Sequence, residues 1–226
     1  MAETPAILAI SSRPPAWTRR AALAGLALVW AGPTIADPRQ RIVTMLGDSI
    51  TAGYGLPSAD ALPAQLAIAL KRLGVDAQVR AAGVSGDTTA DGLARAGFSV
   101  QGDTELCVVA LGGNDLLQGV EPKSVQDNLD AIVRKLKARG ITVLLAGMRA
   151  PPAIGAGYAR AFDAVYPALA RAEHVALYPY LLEGVALDSR LNQKDSIHPN
   201  AAGVKIIAGR MAPAVARALA RRRPSR

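Results

Sequence analysis

Arg41-Ile42-Val43-Thr44-Met45-Leu46-Gly47-Asp48-Ser49 is a β-branched and apolar run that closes on a turn triplet. Such a run reads as a strand whose carboxyl end opens into a loop. The figure recurs along the chain. Residues 76–82 read as a second strand and end at Gly83-Val84-Ser85-Gly86-Asp87. Residues 106–111, Leu-Cys-Val-Val-Ala-Leu, form a continuous apolar run of the kind found in strands buried on both faces, and end at Gly112-Gly113-Asn114-Asp115. Residues 142–146 and 175–178 read as strands four and five. Helical spacing fills the intervals. Leu62, Leu66, Ala69, Leu70 and Leu73 share a face over 61–73, which Gly74 stops. Residues 88–96 form a short helix. Pro122 suits a first turn, and Val125, Leu129, Ile132, Val133 and Leu136 carry an apolar face to Gly140. Residues 158–172 and 200–220 are the last two helices. This alternation predicts a single α/β domain, a three-layer α/β/α sandwich on a five-stranded parallel sheet with right-handed crossovers. In such sheets function collects at the carboxyl ends of the strands.

Composition narrows the function classes. The chain has 226 residues, 50% hydrophobic and 19% charged, which excludes a disordered protein. Its single cysteine excludes an internal disulfide framework and multi-cysteine metal sites. No cluster of histidine and carboxylate has metal-ligand spacing, so neither metal nor cofactor is expected. The formal charge of +8 would suit an acidic partner, but much of it lies at the ends. Arg13, Arg19 and Arg20 precede the apolar run 21–31, and Thr34-Ile35-Ala36 supplies small residues where a signal peptidase reads. That order is a secretory signal over 1–36, with an uncleaved anchor and a misassigned start as alternatives, and with the general and twin-arginine routes both open. The apolar run is shorter than the ~20 residues a bilayer span requires. The mature domain, 37–226, carries net charge +6, and five of its basic residues fall in the last ten positions. No basic stripe interleaved with aromatics remains, so nucleic acid is not an expected partner. A periplasmic or secreted monomer is expected, with a lipid surface as a further partner.

Four short motifs stand after predicted strands: Gly47-Asp48-Ser49, Gly83 to Asp87, Gly112 to Asp115, and Asp195-Ser196-Ile197-His198-Pro199. Each alone is ordinary turn chemistry. Together, and in this order, they resemble the SGNH hydrolases, also called GDSL-type esterases, along roughly residues 41–219. Leu46 to Gly55 is similar to the first block of that family. Ser49, Gly86, Asn114 and His198 fall on the four residues for which it is named, and Asp195 falls on its Asp-x-x-His block. Residues 85–88 and 111–115 are similar to the bacterial periplasmic branch described as arylesterase, acyl-CoA thioesterase I or lysophospholipase L1. The resemblance implies a flavodoxin-like sheet, carboxylic ester hydrolysis and no cofactor.

The residue types agree with that chemistry. Ester hydrolysis needs a nucleophile, a base, a group to orient the base and an oxyanion site. Of the two histidines, His198 stands in the motif and is the expected general base, while His174 stands where a helix runs into strand five and is expected to be a helix-end residue. Asp195, three residues before His198, can reach the imidazole; a helix-entry turn is the alternative, and Asp188 is the runner-up carboxylate. Ser49 is the expected nucleophile. Ser85 lacks a G-x-S-x-G elbow, and Cys107 lies inside an apolar strand as an inert thiol. Asp48, Asp87 and Asp115 are read as loop braces. The Ser49 and Gly86 backbone N–H groups and the Asn114 side-chain amide are the expected oxyanion donors. Tyr54, Leu56, Leu116, Leu117 and the loop 148–158 are candidate walls for the acyl group, although that loop also reads as an ordinary connection. Alternatives to the serine esterase are a transacylase using the same acyl-enzyme and a non-catalytic envelope carbohydrate-binding module.

Overall fold

The computed structural model describes residues 40–221. The expected export signal over 1–36 and the end of the basic tail lie outside the described residues. The five predicted strands are β1 (Arg41–Gly47), β2 (Ala77–Gly83), β3 (Leu106–Ala110), β4 (Thr142–Ala146) and β5 (Ala176–Tyr178). They form one parallel sheet in the order β2-β1-β3-β4-β5. β1 and β3 occupy its middle. Every residue of β3 is buried, which is why its sequence is uniformly apolar rather than alternating.

Seven helices lie among these strands in the described residues: α1 (Ser49–Ala52), α2 (Leu62–Arg72), α3 (Thr89–Ser99), α4 (Gly113–Gln118), α5 (Pro122–Ala138), α6 (Ala156–Ala172) and α7 (Ala201–Arg221). α2 packs on α7, while α3 packs on α5 and α5 on α6, so two helical groups sandwich the sheet. The apolar stripe of α5, Val125, Leu129, Ile132, Val133 and Leu136, is buried as its spacing predicts. Thr88 caps α3 by accepting from the Asp91 N–H while Asp91 accepts from the Thr88 N–H, a reciprocal capping box. α6 and α7 run through Pro167 and Pro213. An interior proline removes one helical hydrogen bond and disfavours the helix. Here the buried stripes Phe162, Val165, Tyr166, Leu169 and Val204, Ile207, Met211, Val215 hold both helices together.

Two features differ from the sequence reading. The Gly-Asp-Ser and Gly-Gly-Asn-Asp loops open into the short helices α1 and α4, which are too brief to show a periodicity. The segment from β5 to α7 is a long turn-rich excursion whose ordered tie is an antiparallel bridge between Asn192 and Pro199.

Candidate active site

β1 delivers Ser49 to the carboxyl edge of the sheet. Gly47 permits the approach: a Cβ there would collide with Thr51 Oγ1 and lie 2.8 Å from the Ala110 carbonyl oxygen. Asp48 caps α1, its carboxylate accepting from the Ile50 N–H at 3.0 Å. The cap holds Ser49 in the first turn, where it is buried but lines the cavity described below.

His198 arrives from the excursion before α7. Its Nε2 lies 2.8 Å from Ser49 Oγ, and its Nδ1 lies 2.6 Å from Asp195 Oδ2. Asp195 Oδ1 accepts from the backbone N–H groups of Ile197 and His198, both at 3.0 Å. Ser196 between them takes a left-handed φ of 59°, which folds the turn tightly enough for one carboxylate to serve both backbone and ring. The backbone donor at His198, its ring, and the Ile197 N–H hold the Asp195 carboxyl down at about 2. The Tyr54 ring packs beside the imidazole, centroids 4.6 Å apart.

Gln193 anchors this turn. Its N–H donates to the His198 carbonyl oxygen at 2.7 Å, and its side-chain amide donates to the carbonyl oxygens of Tyr54 at 2.7 Å and Pro199 at 3.1 Å. A second brace lies under the serine. The Arg95 guanidinium donates to the carbonyl oxygens of Gly47 and Ala82, each at 2.8 Å, and pairs with the Asp87 carboxylate. One side chain thereby clamps the ends of β1 and β2 to the loop between β2 and α3. The Asn114 amide donates to the Asp87 carbonyl oxygen at 2.9 Å. Neither Gln193 nor Arg95 was singled out from the sequence, because each stands outside the motifs and reaches, besides near neighbours, a carbonyl oxygen that only the fold brings close, that of Tyr54 or of Gly47.

Asp48, Asp87 and Asp115 are braces, as read. Asp115 accepts from the Thr89 N–H and hydroxyl at 2.8 and 2.6 Å. Burial pushes the Asp48 carboxyl up to about 6, against the pull of the Ile50 N–H and of His198. Asp188 is engaged by Arg190 and does not bond His198. Burial pushes the Cys107 thiol up to about 12, consistent with an inert strand residue. His174 follows α6 at φ 53°, as a helix-end residue does.

A cavity of about 400 Å³ opens beside Ser49 and His198. Leu116, Leu117, Met148 and Arg149 line it, together with Asn114. Of the other candidate walls, Tyr54 and Leu56 border, with Pro199 and Val204, a separate recess of about 10 Å³ that also touches Ser49 and His198. Gly53, left-handed at φ 78°, ends α1 and turns the chain so that Tyr54 lies against the imidazole. The cavity's opposite wall comes from Tyr180, Leu182, Ala186 and Leu187, in the excursion after β5, where no periodicity marks a wall. Gly86, at φ 91°, sits in the exposed turn beside Asp87 and is not among the cavity residues.

Similarity to known proteins identifies the family. Residues 45–206 match the model of the GDSL-like Lipase/Acylhydrolase family. The chain is 42% identical over 156 residues to Esterase TesA of Pseudomonas aeruginosa, covering 69% of this chain and 78% of that protein. It is 38% identical over 169 residues to thioesterase 1/protease 1/lysophospholipase L1 of Escherichia coli K12, covering 74% and 80%. Among solved structures, AlinE4, described as an SGNH-hydrolase family esterase, is 48% identical with a TM-score of 0.67, covering 80% of this chain and 97% of that one. The match runs from the last residues of β1 into α7 and so takes in the serine, the Asn114 loop and the histidine turn: the chain belongs to the GDSL-like Lipase/Acylhydrolase family.

Proposed function

We propose that this ester-hydrolysing serine hydrolase works through an acyl-enzyme on Ser49, with His198 as general base and Asp195 as its orienting carboxylate. The observation that carries the reading is the continuous chain Ser49 Oγ, His198 Nε2, His198 Nδ1, Asp195 Oδ2, with contacts of 2.8 and 2.6 Å at its two junctions. With Nδ1–H donating to Asp195, Nε2 is left unprotonated and accepts from the serine hydroxyl. As Ser49 Oγ attacks the ester carbonyl, its proton passes to Nε2. The imidazolium that forms is stabilised by the Asp195 carboxylate, which stays ionised. Collapse of the tetrahedral adduct breaks the bond to the leaving oxygen, or sulfur in a thioester, and the proton on Nε2 goes to that atom. Water then repeats the sequence on the acyl-enzyme and releases the carboxylic acid.

The developing oxyanion is assigned to the N–H groups of Ser49 and Gly86 and to the Asn114 amide. Asn114 lines the cavity with one amide hydrogen committed to the Asp87 carbonyl oxygen and the other available. Loss of one such donor typically costs ~10²–10³ in turnover. The apolar cavity fits the acyl chain of an aryl or alkyl ester, a thioester or a lysophospholipid. Leu117 and Leu187, exposed at its border, supply apolar contact for a lipid surface. A periplasmic or secreted location is read from the order of residues 1–36, and N-terminal sequencing of the exported protein tests it.

Hydrolysis of para-nitrophenyl esters from acetate to palmitate, measured for the protein beside Ser49→Ala, tests the assignment. Activity lost in the variant supports it; a variant of undiminished activity overturns it.

A further inference from the structure

Arg149 stands apart from the apolar walls of the cavity. It lines the same space as Ser49 and His198 and is exposed there. Its guanidinium carbon lies 5.3 Å from the centre of the Tyr180 ring, which also lines the cavity. Among the described residues it pairs with no carboxylate. The nearby Asp163 braces the loop instead, accepting the Ala150 N–H at 2.8 Å. Some arginines elsewhere are tied to carboxylates, as in Arg41 with Glu105, Arg80 with Asp103 and Arg95 with Asp87, and others, Arg139 and Arg210, donate to backbone carbonyl oxygens.

A guanidinium drawn over an aromatic face by the ring's charge distribution keeps its edge donors free. A free planar fork of N–H groups is matched by a carboxylate, a sulfonate or a phosphate, each of which can accept two parallel hydrogen bonds. Apolar walls and one pre-oriented cation together fit an amphiphile with a single anionic end. We propose that Arg149 is a specificity-determining residue that holds an anionic group of the ester substrate while the cavity holds its apolar part. The inference rests on the esterase reading above for the reaction, but its binding test does not.

Two matched pairs of esters place the anion on either side of the reacting bond. Para-nitrophenyl hexanoate is compared with the mono-para-nitrophenyl ester of adipic acid, whose acyl chain ends in a carboxylate, and with the hexanoate of a sulfonated nitrophenol. In Arg149→Met the ratio of kcat/KM for the anionic to the neutral ester falls about tenfold or more in at least one pair, as loss of a charge-assisted hydrogen bond requires. Arg149→Lys, which keeps the charge but loses the fork, recovers part of it. The pair that responds shows on which side of the ester the anion lies. Ratios unchanged in both pairs overturn the inference.

Calorimetric binding to Ser49→Ala removes the dependence on turnover. Octyl phosphate binds more tightly than octanol, and the difference disappears when Arg149→Met is added. Equal binding of the two amphiphiles overturns the inference, even where the Arg149 variant alone fails to fold. Arg149-dependent binding of octyl phosphate in a protein that hydrolyses neither the neutral nor the anionic esters would leave the anion site standing and refute the esterase reading.

Discussion

Gln193 Nε2 donates to the carbonyl oxygen of Tyr54 at 2.7 Å, across 139 residues of sequence. The bond ties the turn that carries His198 to the segment that leaves Ser49, because the same Gln193 also donates through its backbone to the His198 carbonyl oxygen. Gln193→Ala removes the side-chain tie and leaves the backbone one. The Ser49–His198 contact then loses a constraint while the cavity keeps its walls. We expect kcat to fall about tenfold with KM changed less than twofold, the pattern of an interaction used in the transition state. Steady-state kinetics on a soluble ester checks it. An equal and opposite pattern, KM raised and kcat unchanged, would place Gln193 in substrate binding instead.

Asp48 makes the stability of the fold depend on pH in an unusual direction. Its carboxyl is 2% exposed and burial raises it from the ordinary 3.8 to about 6. The folded protein therefore holds the proton more tightly than the unfolded chain does. The stability this contributes is fully present below about pH 4 and is lost as pH rises through about 6. The difference is on the order of 3 kcal/mol, from ~1.4 kcal/mol per unit. Asp48→Asn keeps an acceptor for the Ile50 N–H and removes the buried charge. Urea unfolding at pH 8 should show the variant more stable by up to about that amount, with the gap closing below pH 4. A gap that persists unchanged at low pH would refute the electrostatic cause.

Much of this site is legible in the sequence because its groups sit within short motifs. Asp195 and His198 are three residues apart, so one turn brings carboxylate and ring together. Strand ends place Ser49 and Asn114 on one edge of the sheet. What holds them is less legible. Arg95 reads as a polar position on an amphipathic helix, and only the fold shows its guanidinium turned onto two strand ends. The cavity wall at Leu182, Ala186 and Leu187 lies in a segment without helical or strand period, so no pattern assigns it a facing. The facing of Tyr54 is illegible for a related reason. Its distance in sequence from Ser49 implies proximity, but the left-handed Gly53 decides which side of the imidazole it occupies.

The Arg95 clamp predicts a large, partly reversible loss of stability. Arg95→Met strips the Gly47 and Ala82 carbonyl oxygens of a donor and leaves the Asp87 carboxylate, with 11% of its side chain exposed, without its cation. Breaking one partner of a buried pair typically costs ~3–5 kcal/mol, most of it the penalty of the stranded charge. Adding Asp87→Asn should recover more than half of the loss. Chemical denaturation of the two variants checks this, and a double variant no more stable than the single one would show that the carbonyl contacts, not the ion pair, carry the clamp.

The cavity proposed for the acyl chain has a finite volume, and Ala186 is a small residue on its wall. Burying one methylene contributes ~0.8 kcal/mol, or about fourfold in kcat/KM, while room remains. Activity along an acyl series should therefore climb from acetate and then level off where the cavity of about 400 Å³ is filled. Ala186→Phe places a ring in that space from the excursion that also carries His198, outside the Asp195-to-Pro199 motif. We expect the acetate ester to keep its kcat/KM within about twofold, since a two-carbon acyl group does not reach the wall, while the break in the series moves to shorter chains and octanoate loses tenfold or more, the worth of about two buried methylenes. Para-nitrophenyl esters of increasing length measure both effects in one experiment. A uniform loss across the series would mean the ring had displaced the catalytic turn. An unchanged series would mean that the acyl chain lies outside this cavity.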